Sequence, residues 1–511
     1  MTFKRIIYEE SIRGALEQSK ARPEIFSPKL CDLPLRMTSL LKKGSEVELE
    51  IESLAFGAKG LARLNGYVVF VEQALPGQRV RALLTKKKRD YAEARPLEVL
   101  RQSLDYVPPR CSHFHNCGGC SLQDYQYEKQ LAAKQQQIAE VLTHLGGIAQ
   151  PPVAAVLGSP QQFFYRNKME FSFARQRWLT RAEIADAQNI AERNFALGLH
   201  ARNSFDKTLD IRACYLFSEM SNDILAAVRT FAKNSSLLPY TTRDHTGFWR
   251  FLVMREGKRT GEFMLNFVTA EAPEGRAAVG ELSATLVQQF SAITTVVHII
   301  NRSKAQIAFG EEEVVLHGPG YLREQIGDCT FQISANSFFQ TNTLGAEQLY
   351  TVAREFAALT GAENVYDLYC GAGTIAIFIA KQARQVVGFE IVPEAIRDAA
   401  TNCSLNHIDN CHFVRGDLKD EIARVPDLVQ RWGRPEVIIV DPPRAGMHPK
   451  VLLKMMELAP QRIVYVSCNP ATFARDVKVL CWQDYNLEKV QPLDMFPHTA
   501  HCEVVGLLVR K

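Results

Sequence analysis

Two segments near the C-terminal end of the chain carry the residue types of covalent catalysis. Asp441-Pro442-Pro443-Arg444 follows the apolar run Ile438-Ile439-Val440, and Ser467-Cys468-Asn469-Pro470 follows Ile463-Val464-Tyr465-Val466. Both runs read as strands, and open α/β sheets bind ligands at the carboxyl ends of their strands. Asp441 and Cys468 are therefore expected to face one crevice. A lone free cysteine is more often a small buried hydrophobe; the loop position beside Asn469 and Pro470 favours a nucleophile instead. A thiolate suits a pyrimidine whose carbon 5 is a poor nucleophile. Addition at carbon 6 of uracil gives an enolate that makes carbon 5 reactive toward an electrophilic methyl group. A base must then remove the carbon 5 proton so that the thiolate can leave. Glu503, in His501-Cys502-Glu503-Val504-Val505, is the best candidate, although an acid before a strand is commonplace.

A second constellation is Asp367-Leu368-Tyr369-Cys370-Gly371-Ala372-Gly373-Thr374, a glycine loop that follows one strand and opens a helix. Glycines allow a tight turn and a close approach of backbone to ligand. Glu390, nineteen residues after Gly371, ends the next strand and suits a ribose diol. The third glycine of a dinucleotide site and the lysine of a phosphate loop are both missing. S-adenosylmethionine carries no phosphate and needs neither. A purely structural β–turn–α unit is the alternative. Asp417, in Arg415-Gly416-Asp417-Leu418, suits an adenine amino group or an exposed turn equally well.

The third constellation is Cys111-x5-Cys117-x2-Cys120, three thiols within ten residues. Clustered thiolates bind soft metals and iron–sulfur clusters. The spacing is not that of radical enzymes using the same cofactor class. His113 and His115 within the loop keep a zinc site open.

These groups need a scaffold, and the 511-residue length suggests about three domains. A hydrophobic fraction of 46% excludes a chain disordered throughout, and a net charge of +4 is too small to indicate nucleic-acid binding by itself. No apolar run approaches the roughly 20 residues of a membrane span. The first thirteen residues lack the apolar core of a secretory signal, so a cytoplasmic protein is expected, where twelve cysteines indicate metal or catalysis before disulfides. Residues 1–38 read as a polar extension, with Met37 as an alternative start. Residues 39–101 read as about five short strands of an OB-like β-barrel. Val47, Leu49 and Ile51 alternate with glutamates, and Lys86-Lys87-Lys88-Arg89 reads as a cationic loop. Residues 102–333 read as an α+β domain. It holds the cysteine cluster, then a helix from Asp124 to Leu145, and has a hairpin from Phe248 to Thr269. Residues 334–511 alternate strand and helix, with strands at 364–368, 385–389, 436–440 and 462–466, the pattern of a doubly wound α/β sheet. The fold class expected is thus multidomain α/β: barrel, α+β centre and Rossmann-like C-terminal domain.

From Leu40 to Lys511 the chain resembles bacterial RNA uracil-5-methyltransferases, particularly the 23S ribosomal RNA type with an N-terminal TRAM domain. The resemblance rests on Phe339-Gln340-Thr341-Asn342, the glycine loop, Asp441-Pro442-Pro443-Arg444, Ser467-Cys468-Asn469-Pro470 and His501-Cys502-Glu503. It implies Cys468 as nucleophile and Glu503 as base. It also implies S-adenosylmethionine held or oriented by Gln340, Tyr369, Glu390 and Asp441; Gly371, Gly373, Thr374 and Asp417 join that set, with Thr374 standing where some relatives carry Asn. It further implies a 4Fe–4S cluster on Cys111, Cys117, Cys120 and Cys214, with Tyr215 where relatives usually have Pro. RNA, most specifically 23S ribosomal RNA, is the expected partner of a monomer, with no membrane. Three other functions compete. Transfer-RNA uridine methylation is one, although such relatives often lack the barrel and the cysteine cluster. A non-catalytic iron–sulfur assembly factor would need neither Cys468 nor Glu503. An adenine amino-methyltransferase usually places an aromatic where this chain has Arg444.

Overall fold

The computed structural model describes residues 41–186, 192–482 and 484–511; the polar extension read over residues 1–38 lies outside them. The chain packs as two compact units assembled from separated segments. The first takes residues up to 108 together with 121–158 and 418–511, the second 109–120 and 159–417.

The first unit opens with six strands: β1 (Glu46–Glu50), β2 (Ser53–Ala55), β3 (Lys59–Leu64), β4 (Tyr67–Val71), β5 (Arg79–Lys87) and β6 (Tyr91–Arg101). They lie in the order β1-β5-β6-β4-β3-β2. β1 also touches β3, four places away, so the sheet rolls into a barrel. Alternation sends Leu49, Val69, Val71, Val80, Ala82, Leu84, Ala92 and Ala94 into one core. The β3–β4 hairpin turns on Asn65 (φ 50°) and Gly66 (φ 83°), the left-handed pair that a two-residue turn requires. The expected loop Lys86–Arg89 is corrected here. Lys86 and Lys87 belong to β5, where Lys86 pairs with Glu93 at 2.7 Å and Lys87 Nζ donates to the Leu41 carbonyl, leaving Lys88 and Arg89 as the exposed turn. The helix Tyr127–His144, shorter than the expected span, packs beside the barrel. Gln137 donates to the Leu54 carbonyl at 2.9 Å, and Leu54, Ala58 and Leu75 share a core with Leu122 and Tyr125.

The second unit is built on β7 (Lys168–Ala174), β8 (Ala196–His200), β9 (Thr208–Asp210), β10 (Trp249–Glu256), β11 (Phe263–Thr269), β12 (Ile293–Ile300) and β13 (Glu312–His317), in the order β13-β12-β11-β10-β7-β8-β9. The expected hairpin is β10–β11. The parallel step from β11 to β12 crosses over through the helix Gly275–Gln289. A two-stranded ribbon, β14 (Tyr321–Ile326) and β15 (Cys329–Ser334), precedes the helix Thr343–Ala357. Three parallel strands follow: β16 (Asn364–Leu368), β17 (Gln385–Glu390) and β18 (Cys411–Arg415). The helices Thr374–Ile379 and Pro393–Leu405 separate them. β16 is buried throughout, its polar Asn364 and Asp367 included, as a strand covered on both faces is.

The chain then returns to the first unit. β19 (Val437–Val440) and β20 (Arg462–Ser467) are parallel, joined through the helix Pro449–Leu458. β21 (Tyr485–Leu493) and β22 (Glu503–Arg510) form an antiparallel pair, with β22 against β20. This pair is the one departure from the parallel winding read in the sequence.

Candidate active site

In the first unit, β19 and β20 run parallel, Val440 opposite Tyr465 with β20 two residues longer, so Asp441 and Cys468 leave the sheet at the same edge. β22 runs the opposite way beside β20. Its last pairing with β20 is Val504 with Ser467, which puts Glu503 and Cys468 at the next positions along the same register. Local hydrogen bonds fix the cysteine loop. Asn469 caps the helix Pro470–Cys481 by accepting from Ala471 N at 3.1 Å, and its amide donates to the Arg444 carbonyl at 3.0 Å. Ser467 Oγ accepts from Asn469 N at 3.1 Å. One asparagine thus ties the loop of Asp441 to the loop of Cys468.

The charges of these residues reach one another. Burial pushes Glu503, 5% exposed, up to about 8, with the Asp441 carboxylate adding to the rise and Arg444 opposing it. Burial raises Asp441 to about 6. Burial raises the half-buried Cys468 thiol as well, with Glu503 and Asp441 adding to the rise and the Arg444 guanidinium favouring the thiolate. The arrangement is a thiol, a carboxyl pushed up to about 8, and one cation that favours the anion of each. Cys502 is a different kind of thiol. It is buried, donates to the Leu493 carbonyl at 3.3 Å, and is pushed up to about 12.

The support behind Glu503 has no functional reading in the sequence. Lys134 and Asp494 form a fully buried ion pair at 2.7 Å. Gln130 donates to the carbonyls of Leu122 and Tyr125 and accepts from His498 N at 3.1 Å. These contacts hold the loop that leads into Glu503. The available signal was two polar residues, Gln130 and Lys134, on the otherwise apolar stripe completed by Ile138 and Leu142.

In the second unit the glycine loop closes on Glu390. Its carboxylate accepts from Gly371 N at 3.1 Å and from the amides of Ile391 and Val392 at 2.8 and 2.9 Å. Gly373 (φ 72°) is the N-cap of the helix Thr374–Ile379, and a Cβ there would meet the Phe413 ring at 2.9 Å. Tyr369 (φ 67°) takes the same left-handed turn without being glycine. Thr374 Oγ1 shares a hydrogen bond with Tyr350 at 2.8 Å. Asp417 follows β18, whose end is held by Gly416 N donating to the Glu390 carbonyl. Gln340 is fixed through its carbonyl, which accepts from Asn167 at 2.8 Å, while Phe339 packs on Phe331 and Asn342 caps the next helix.

The four expected metal ligands all lie in this unit. Cys117 and Cys214 are buried. Burial raises the Cys117 thiol to about 11, with Cys214 and Cys111 adding to it, so these sulfurs sense one another. Arg110 lies over Tyr215 at 4.5 Å, packing the neighbour of Cys111 against the neighbour of Cys214 and giving Tyr215 a role that proline would not fill. Among the described residues no three metal-ligating side chains are drawn together closely enough to hold an ion. His113 accepts from Arg212 N at 3.1 Å, which occupies one ring nitrogen of the zinc alternative.

The family described as tRNA (Uracil-5-)-methyltransferase matches residues 275–511, and the TRAM domain matches residues 41–97. An uncharacterised RNA methyltransferase of Porphyromonas gingivalis is 44% identical, over 90% of this chain and 99% of its own length. One from Chlorobaculum tepidum is 41% identical, over 92% and 97%. The structure of Pyrococcus abyssi tRNA (uracil-54, C5)-methyltransferase in complex with S-adenosyl-L-homocysteine superposes with a TM-score of 0.69 at 29% identity, covering 91% of this chain and all of that one. With the paired thiol and carboxyl at one sheet edge and a TRAM domain ahead of them, the chain belongs to the RNA (uracil-5-)-methyltransferase family.

Proposed function

We propose that the protein methylates carbon 5 of a specific uridine in 23S ribosomal RNA through a covalent link from Cys468 to the base. The observation that carries the chemistry is the register that sets Cys468 beside Glu503, within reach of Asp441 and Arg444. The target uridine leaves its stack to meet the thiol. Cys468 Sγ forms a bond to carbon 6, and the negative charge moves through the ring toward carbon 5 and the carbonyl. Arg444 favours the thiolate before the attack. S-adenosylmethionine, when bound, supplies an electrophilic methyl group for carbon 5. Glu503, ionised, takes the proton from carbon 5; the electron pair reforms the 5,6 double bond and the carbon–sulfur bond breaks. Gln340, Tyr369, Gly371, Gly373, Thr374, Glu390, Asp417 and Asp441 hold the cofactor. The open space beside Gly371 and the backbone-anchored Glu390 suit a nucleoside without phosphate.

Cys111, Cys117, Cys120 and Cys214 carry a 4Fe–4S cluster in this reading. Four thiols within one unit, two of them buried, fit that donor chemistry, and the cluster would pin the 109–120 loop to the segment after β9. Anaerobically purified protein should contain about four iron and four sulfide per chain; stoichiometric zinc without iron would discard the cluster.

Transfer RNA is the second reading, favoured by the archaeal tRNA enzyme. The barrel does not decide between them. That alignment leaves about 46 residues of this chain outside it, fewer than the stretch 41–97, so part of the barrel has a counterpart in the tRNA enzyme. Incubation of unmodified 23S ribosomal RNA and transfer RNA with enzyme and S-adenosylmethionine, followed by nucleoside mass spectrometry, tests the choice. 5-Methyluridine in the transfer RNA alone would reject the ribosomal target.

A further inference from the structure

Two cavities of about 530 and 480 Å³ adjoin on the sheet of the second unit, sharing Lys168, Glu170, Leu199 and His200. None of the candidate catalytic or cofactor residues lines either one. The trough they form is rich in cations. Arg166 lines one end and Arg255 the other, with Lys168 common to both. Lys168 and Arg255 are direct partners in the antiparallel register of β7 and β10, so two like charges face each other across adjacent strands. Glu170 is the one carboxylate lining the trough, and it already pairs with Lys168 at 2.6 Å. Arg255 is 3% exposed. It donates to the carbonyls of Ala335 and Ser337, and among the described residues it makes no ion pair, its Nε lacking a hydrogen-bond partner. A buried guanidinium without a contacting carboxylate is costly, and Glu170 and Asp398 offset that burial only through space. Burial and the neighbouring Arg255 also hold the Lys168 ammonium below the usual lysine value.

The wall of the trough differs from its floor. Arg250, fully buried, donates to the carbonyls of Asn301, Ser303 and Ala305 and so fixes the turn after β12. That turn presents Phe309, 51% exposed, at the rim of the second cavity. A cationic floor beside an exposed aromatic ring is the combination that binds single-stranded nucleic acid: cations follow the phosphates and an unpaired base stacks on the ring.

We propose that this trough is a subsite for a single-stranded stretch of the RNA substrate, with a phosphodiester oxygen at Lys168, in the field of the buried Arg255 beside it, and an unstacked base on Phe309. The proposal rests on the RNA reading given above. Lys168 has three donors and spends one on Glu170, so it meets a phosphate without losing that pair.

The two contributions separate by salt. With the full-length protein and a labelled oligouridylate of about 12 nucleotides, affinity is measured across a salt series. Lys168→Gln should lower the slope of log affinity against log salt by about 0.7, the value for one phosphate contact to a single strand. Lys168→Arg should restore the slope. Phe309→Ala should weaken binding about tenfold and leave the slope unchanged, because stacking releases no counter-ion. An unchanged slope in folded Lys168→Gln overturns the proposal. Phe309 is exposed and tolerates truncation, so unchanged affinity in Phe309→Ala overturns it too, even where the lysine variant does not fold. If the uridine reading fails instead, these binding changes persist while no 5-methyluridine forms. If only the subsite fails, 5-methyluridine forms and the two variants bind as the parent does.

Discussion

Glu503→Gln should separate the stability of the protein from its turnover, because the same burial governs both. Burial lifts this carboxyl from an ordinary 4.5 to about 8. An acid whose folded value lies above its unfolded value binds more protons when folded, so stability is highest below the unfolded value and falls as pH climbs toward the folded one. Between about pH 6 and about pH 9 this one group should cost the wild-type fold about 3 kcal/mol, at 1.36 kcal/mol for each unit. Glutamine matches the shape and does not ionise. The variant should therefore lose about 3 kcal/mol less than wild type across that range. The Asp441 carboxylate titrates in both proteins, and its rise comes from burial, which the substitution leaves in place. Denaturant unfolding of both proteins at the two pH values measures the difference. Parallel pH dependences would show that Glu503 is not a buried acid and would remove the reasoning for its role. Wild-type kcat/KM should rise with pH through about 8, since only the ionised carboxylate accepts the carbon 5 proton.

The remaining predictions probe other parts of the molecule. Cys468→Ala should form no denaturation-resistant adduct with RNA, whereas Glu503→Gln should accumulate one, and wild-type enzyme should be trapped by 5-fluorouridine RNA; an adduct with Cys468→Ala on a denaturing gel would disqualify this thiol. In the barrel, Lys88→Glu with Arg89→Glu should weaken RNA binding and flatten its salt dependence, whereas the same change at Lys86, paired with Glu93, should matter less. Lys134→Met strands Asp494 in the interior and should cost about 3–5 kcal/mol in unfolding experiments, with Lys134→Met/Asp494→Leu recovering most of it.

Much of this molecule was legible in one dimension because period and punctuation are local. The strand at 67–71 appears where its apolar run lies, and the β10–β11 hairpin surrounds its polar turn. Cys468 was recognisable from its place after a β-run and before a helix-capping asparagine. Boundaries read less well where a tertiary partner decided them: Lys86 and Lys87 look like a loop, yet β5 continues through them because Glu93 on β6 stands opposite Lys86. The antiparallel placement of β22 against β20 was not readable either, since nothing in the apolar run Val504–Val509 distinguishes a parallel from an antiparallel neighbour.

Composition and spacing by themselves determined which residues have the chemistry for the reaction: a thiol, an acid and a glycine loop at strand ends. Only the tertiary structure decided their properties. Glu503 is an unremarkable acid in sequence. It becomes a group that titrates near neutrality because β22 buries it near Asp441 and Arg444, residues about sixty positions earlier in the chain. The two compact units likewise draw residues 41–108 and 418–511 into one body and residues 109–120 into the other, and Lys134 meets Asp494 across 360 residues. Such pairings follow from the burial of apolar faces that are remote along the chain, and local propensity carries no record of them.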